Sequence, residues 1–334
     1  MAERDRAIAR FLEASGWGAA ARQPLPGDAS FRRYVRLTQE DGSRAMLMDA
    51  PPPKENVRPF LTVARLLHQM ELSAPRIYAE DAEAGLLLLE DFGDDTFTRL
   101  LEKGADETAL YTLAVDVLIA INRRFAGADL PPYDEARFLA EAELLVDWYL
   151  PAVSGQSAEP GVKERYLDIW RRALSMARVV PDTLVLRDFH VDNLMQLPGR
   201  TGVAACGLLD FQDAVVGPMS YDLMSLIEDA RRDVPAALAG ALTLRFLNAF
   251  PKVDRTPFVR SAAIIAAQRN CKIIGIFTRL CVRDGKPQYL KHIPRLWRLL
   301  ENDLHHPMLN GLAGWLDRNI PPGLRIIPPV GPTA

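Results

Sequence analysis

The feature that most constrains this chain is a change of hydrophobic period near Gly93. Before it the apolar residues come in short alternating runs. Phe31 to Thr38 (FRRYVRLT) has the period of a half-buried strand, Glu40 to Ser43 is turn chemistry, and Arg44 to Asp49 is the returning strand of a hairpin. Three prolines, Pro51 to Pro53, then break the chain ahead of a helical pattern from about Glu55 to Met70. Short apolar runs follow at Ile77-Tyr78 and Leu86 to Glu90. After Gly93 long helix-period segments take over, at Asp106 to Phe125, Asp134 to Leu150 and Val162 to Val179. One stretch, Thr183 to Asp210, interrupts them with two β-like runs and a loop between. This order predicts an α+β chain of bilobal layout. Residues 1–92 are expected to form a small β-rich, nucleotide-binding lobe, and residues 93–334 a large helical lobe carrying the catalytic loop and the substrate site. The cleft between such lobes is a natural place for a nucleotide.

Composition narrows the class by exclusion. The chain of 334 residues is 49% apolar and 25% charged, as in ordinary soluble globular proteins. No apolar run approaches the roughly 20 residues that span a bilayer, so no membrane partner is expected. The opening MAERDRAIARFLEASGWG reads as a charged amphipathic helix stopped at Gly16 rather than a leader, which makes the cytoplasm the expected compartment. Cys206, Cys271 and Cys281 are odd in number and lack C-x-x-C spacing, so they read as buried thiols. From Pro251 onward there are 13 Lys or Arg against 5 Asp or Glu, on a chain of net charge −3. With a pI near 6.0 and no basic patch interleaved with aromatics, nucleic acid is not an expected partner. Nothing implies an obligate protein partner.

The chemistry lies in LVLRDFHVDNLM (184–195) followed by CGLLDFQDAVVGPMSYDLMSL (206–226). Asp188 and Asn193 are five apart, and Asp210 ends an apolar run 17 residues after Asn193. Phosphoryl transfer from ATP needs a carboxylate to accept the acceptor's hydroxyl proton and oxygen ligands to hold Mg²⁺ across the phosphates. An Asp and an Asn on one tight loop, with a second Asp at the tip of a buried strand, supply those parts. A D-x-x-x-x-N pair alone says little. Its place between apolar strands, downstream of a β-rich region, is what gives it weight.

This segment resembles the aminoglycoside phosphotransferase family, which shares the protein-kinase-like fold and carries H-G-D-x-H-x-x-N, then I-D-F-x-D and G-x-P-x-x-D-L. Asp188, His190 and Asn193 match the first motif; Asp210, Asp213, Gly217, Pro218, Asp222 and Leu223 match the others. The resemblance implies a small-molecule kinase using ATP and Mg²⁺. In it Asp188 is the base with His190 beside it, Asn193 and Asp210 hold the metal, and Asp222 braces the catalytic loop. LLLLEDFGDDTF resembles the family's hinge, where backbone around Glu90 to Phe92 would meet adenine. Two departures stand out. Leu186, followed by Arg187, replaces the first motif histidine. Met48 occupies the strand position of the phosphate-pairing lysine, with no obvious glutamate partner within the next helix. Arg32 and Arg33 are the expected phosphate ligands instead, and Gly27 to Ser30, with Ser30 near the phosphates, stands in for a glycine-rich loop.

Only eleven residues separate Asp210 from Asp222, too few for a protein-substrate platform. GDASFRRYVRL, LRDFHVDNLM and AAQRNCKIIGIFTRLCVRDGKPQYL are similar to bacterial kinases that phosphorylate the anomeric hydroxyl of N-acetylmuramate and N-acetylglucosamine in cell-wall recycling. That resemblance implies an amino-sugar substrate met by Asp213, Arg269 and Lys272, the last two sharing a helix face. An aminoglycoside or choline-like kinase, and a non-catalytic nucleotide-binding pseudokinase, are the alternatives.

Overall fold

The computed structural model describes residues 2–26 and 31–329. Ser30 and the rest of the Gly27–Ser30 stretch therefore lie outside the described residues. In chain order the elements begin with α1 (Ala2–Ala14), β1 (Ala21–Pro24), β2 (Arg33–Thr38), β3 (Arg44–Asp49), α2 (Arg58–Gln69), β4 (Ile77–Asp81) and β5 (Leu86–Glu90). Next come α3 (Phe97–Glu102), α4 (Glu107–Arg124), α5 (Glu135–Leu144), α6 (Leu150–Ser154) and α7 (Pro160–Ala177). Four short strands follow: β6 (Asp182–Val185), β7 (Leu194–Gln196), β8 (Cys206–Leu208) and β9 (Val215–Pro218). The chain closes with α8 (Tyr221–Ile227), α9 (Ala236–Asn248), α10 (Arg255–Val282), α11 (Ile293–Asp303) and α12 (Asn310–Asn319). The class is α+β, as the change of period predicts. Among the described residues no helix is long and apolar enough to cross a membrane.

The chain divides into two compact units, Met1–Val117 with Val191–Asp213, and Leu118–His190 with Ala214–Ala334. The first is built on an antiparallel sheet in the order β1-β2-β3-β5-β4. The β2–β3 hairpin closes through Gly42 at φ 84°, with the Asp41 carboxylate accepting from the Ser43 amide at 2.8 Å. Strand alternation sends Leu37, Ala45, Leu47, Leu86 and Leu88 to one face, where they pack with Leu12 of α1. Met48 therefore looks out from the other face. α2 begins at Arg58 rather than Glu55, because Pro59 fits only a first turn and the Asn56 side chain accepts from the Arg58 amide at 3.0 Å. The β7–β8 ribbon belongs to this unit too and is tied to it by the Leu208 amide on Ser73 O, 2.8 Å. Gly207 in β8 has no side chain because a Cβ would lie 2.8 Å from the Phe92 ring.

In the second unit β6 pairs with β9, and α10, 28 residues long and buried over most of its length, packs against α5, α7, α8 and α11. The pattern expected as one helix from Asp134 to Leu150 is broken. After α5 the chain widens into a π-turn at Leu145–Tyr149 before α6. Pro151 explains this, since it has no N–H to give back to an α-helical carbonyl. At the same place α10 passes so close that a Cβ on Gly275 would sit 2.3 Å from the Leu144 carbonyl carbon. We predict that Gly275→Ala, despite its better helix propensity, destabilises the protein by about 1–3 kcal/mol through overpacking. Urea unfolding of the two proteins measures it, and an equal or higher midpoint for the variant contradicts it.

Candidate active site

The segment from β6 to Asp188 turns sharply. Arg187 has φ 70°, and the Asp188 amide donates to Leu186 O at 2.9 Å, closing a γ-turn around a residue that is not glycine. The turn persists because Asp222 at the start of α8 takes both preceding amides, Leu186 N at 2.6 Å and Arg187 N at 3.0 Å. Asp222 is buried, and burial pushes its carboxyl up to about 7, against the pull of those two amides and of Arg269. The Arg187 side chain is anchored separately. Its guanidinium lies 2.5 Å from Glu141 of α5. Glu141 also accepts from the Tyr133 hydroxyl at 2.5 Å and lies 3.1 Å from the Lys272 ammonium. Burial alone would raise the Glu141 carboxyl, but Lys272 and Arg187 together hold it below the usual range. Leu186, at the position where the family pattern has a histidine, is buried, and it is the neighbouring Arg187 that pairs with Glu141. His190 is buried, with Nε2 3.4 Å from Arg231 Nη1.

Asn193 and Asp210, 17 residues apart, meet at one end of the β7–β8 ribbon. Leu194 pairs with Leu208, and the Leu209 amide donates to Asn193 O at 3.0 Å. Asp210 adopts φ 56°, a left-handed conformation uncommon outside glycine that Asp tolerates better than most. Its carboxylate accepts from Gln212 Nε2 at 2.9 Å and lies 3.5 Å from Arg32 Nη2. An amide and a carboxylate offer hard oxygen donors, and magnesium takes one or two such protein ligands with phosphates and water completing its shell. Among the described residues no three His, Cys, Asp or Glu side chains gather into a cage, and magnesium needs none. The donor set therefore fits that ion.

Beside Asp210 is a cavity of about 240 Å³ whose lining includes Arg32, Met48, Glu55, Phe60, Gln212 and Asp213. Arg32 Nε lies 3.8 Å from Glu55, which itself accepts from the Phe31 amide at 3.0 Å. Reading the sequence finds no glutamate within the helix after β3. The acidic partner is Glu55, just ahead of that helix, and it meets an arginine from the strand entrance rather than a strand lysine. Arg33 points elsewhere, to Asp49 at 2.7 Å, which α1 also grips through Arg4 at 2.5 Å.

The segment expected to be the hinge, Glu90 to Gly93, is held by two more arginines that the sequence did not single out. Arg36 lies 2.6 Å from Asp91 and donates to Gly93 O at 3.1 Å; Arg200 pairs with Glu90 and sits 5.4 Å over the Phe92 ring. The Glu90 amide is engaged by Arg76 O at 2.8 Å. Of the residues expected to meet substrate, Asp213 is exposed on the cavity lining. Lys272 is buried with its ammonium on Glu141, and Arg269 is buried with Nη2 on Ser225 Oγ at 2.6 Å. Periodicity alone marks none of these pairings, because each joins segments far apart in the chain.

Residues 21–256 match the model of a family described as phosphotransferase enzyme family. The chain is 36% identical, over 96% of its own length and 97% of the other's, to a Caulobacter vibrioides protein named N-acetylmuramate/N-acetylglucosamine kinase. A Pseudomonas aeruginosa protein of the same name is 39% identical, over 89% of this chain and 88% of that one. Among solved structures, a choline/ethanolamine kinase family protein from Mesorhizobium loti superposes with a TM-score of 0.62 at 12% identity, covering 94% of this chain and 99% of that one. The GDP complex of wild-type aminoglycoside 2'-phosphotransferase-IIIa gives 0.59 at 11%, covering 90% and 98%. At such identities these two structures speak for the fold, which is protein-kinase-like.

Asp222 generates a prediction with a definite sign. Its carboxyl rises from 3.8 to about 7 on folding, so the folded chain holds this proton more tightly than the unfolded one. That contribution to stability is present at low pH and is lost as pH rises through the window between those values. Asp222→Asn carries no such proton. Its stability relative to wild type is expected to improve from pH 4 to pH 7, by at most about 1.4 kcal/mol per pH unit. Parallel urea titrations at several pH values test this, and a difference that stays constant or moves the other way contradicts it.

Proposed function

We propose, for a chain that belongs to the phosphotransferase enzyme family, that it transfers the γ-phosphoryl group of ATP to the anomeric (C1) hydroxyl of N-acetylmuramate and N-acetylglucosamine. The reading is carried by one observation: relatives of nearly the same length bear that name, and the chain keeps Asp188, Asn193 and Asp210. In the reaction the C1 oxygen attacks phosphorus, the bond to the β-phosphate oxygen breaks, and ADP leaves. The hydroxyl proton passes to the Asp188 carboxylate. An anomeric hydroxyl is more acidic than an ordinary alcohol, which eases the demand on that base. Asn193 and Asp210 would hold Mg²⁺, which when bound supplies charge neutralisation on the phosphates. We place the reaction in the cytoplasm, where ATP is at hand.

Phosphoryl transfer depends on positioning and charge more than on covalent help from the protein. Here Arg32 takes the work of the missing strand lysine. Glu55 steadies it, Asp210 lies within 3.5 Å of it, and Met48 faces the same cavity without charge. Arg33 instead pairs with Asp49 across the β2–β3 ladder.

The experiment is ADP release from purified protein given ATP, Mg²⁺ and a panel of amino sugars and aminoglycosides, with the product's phosphorylated carbon assigned by NMR. Both amino sugars are expected to turn over at C1, and Asp188→Asn to abolish nearly all turnover while ATP still binds. Activity on a kanamycin-like compound alone would replace the substrate reading, and turnover unchanged in Asp188→Asn would remove the base. For the nucleotide side, Arg32→Ala is expected to lose about 10- to 150-fold in kcat/KM for ATP, the range for hydrogen bonds to a charged group. Arg33→Ala should lose little. The reverse order of the two effects would reassign the phosphate ligand.

A further inference from the structure

We infer that Arg269 is a positioning residue for the loop that carries Asp188, supporting it from α8 through Ser225, and not a ligand of the sugar. The inference rests on the reading of Asp188 as the base. Asp222 and Ser225 stand three apart on α8, so both face the same side. Asp222 takes the Arg187 amide, and the Ser225 hydroxyl donates to the Arg187 carbonyl at 3.2 Å. The γ-turn residue is thus held by its N–H and its C=O from one helix face. A serine hydroxyl has a single proton, and here it goes to Arg187. Its oxygen then needs a donor, which Arg269 Nη2 supplies at 2.6 Å. Ser225 is fully buried and Arg269 is 5% exposed, so water competes poorly for either bond.

The rest of the guanidinium is committed by charge. Asp222, Glu228 and Asp303 all feel it, and for each it favours the ionised form against burial. Tyr221 lies under it, ring centre 5.3 Å from Cζ. Nε and Nη1 have no hydrogen-bond partner among the described residues, yet a sugar carboxylate brought to them would join three carboxyl groups already sharing that one charge. Lysine would keep the charge but lose the rigid guanidinium plane that aims Nη2 at Ser225.

Arg269→Ala strips a charge from among buried acids and risks unfolding, so the variants of choice are Arg269→Lys, Ser225→Ala and the double variant. Two measurements are made on each: amide hydrogen exchange of the 184–189 segment, and kcat and KM with each sugar. We expect exchange of that segment to rise about tenfold and kcat to fall about tenfold with both sugars alike, the scale of one buried hydrogen bond. KM for both sugars should stay near wild type. The double variant should lose no more than the worse single variant, because both act on one path. A loss confined to N-acetylmuramate and expressed in KM would make Arg269 a sugar ligand and overturn the inference. So would unaltered exchange, or additive losses. If the wild-type protein phosphorylates neither sugar, the substrate reading fails on its own, and the exchange measurement still decides the role of Arg269.

Discussion

The interaction on which the rest depends is a buried carboxylate, Asp222, receiving the amides of Leu186 and Arg187. Burying a carboxylate is costly, and it is tolerated here because two N–H groups and a nearby guanidinium compensate it. In return it stabilises a γ-turn that a non-glycine residue would otherwise avoid. That turn decides where the chain goes next, and therefore where Asp188 leaves the backbone. A serine from the same helix face completes the hold. The turn is thus held from α8 and, through the Arg187 side chain, from Glu141 of α5.

Arginine is the recurring instrument of this molecule. Arg187 anchors the loop to Glu141, Arg36 and Arg200 grip the hinge, and Arg32 bridges Glu55 and Asp210. A guanidinium can satisfy two or three acceptors from one fixed plane, which suits places where a loop must be held by side chain and carbonyl together. The Arg36 cluster does this in one stroke, taking Asp91, Asp94 and the Gly93 carbonyl. Lysine has three donors but no rigid plane to fix their directions.

The two departures from the family pattern acquire a physical account in this light. Ahead of Asp188, beside the place where the family pattern has a histidine, Arg187 reaches a buried glutamate that Lys272 and Tyr133 also contact. Where the pattern has a strand lysine, Met48 and an arginine just upstream of β2 line one cavity, with Glu55 across from the arginine. Phosphoryl transfer asks for charge at a location rather than for a particular residue.

The α+β class was legible because side-chain period reports which face of a strand or helix is buried, and that period changes near Gly93. Asp188, Asn193 and Asp210 stood out as candidates because phosphoryl transfer asks for given residue types on a tight loop and at a strand end, a local requirement. The break after Leu144 was visible in principle from Pro151, yet the flanking apolar pattern outweighed it. The long-range side-chain pairings were not legible. Glu141 lies 46 residues from Arg187, and Arg269 lies 44 from Ser225. Many other acids and hydroxyls stood at similar separations, and no period or spacing distinguishes one from another. By itself the sequence determined the class of fold and marked the candidate reacting groups, because both readings follow from local pattern. Only the tertiary structure decided which arginine holds which loop, because that depends on where packed helices bring distant segments together.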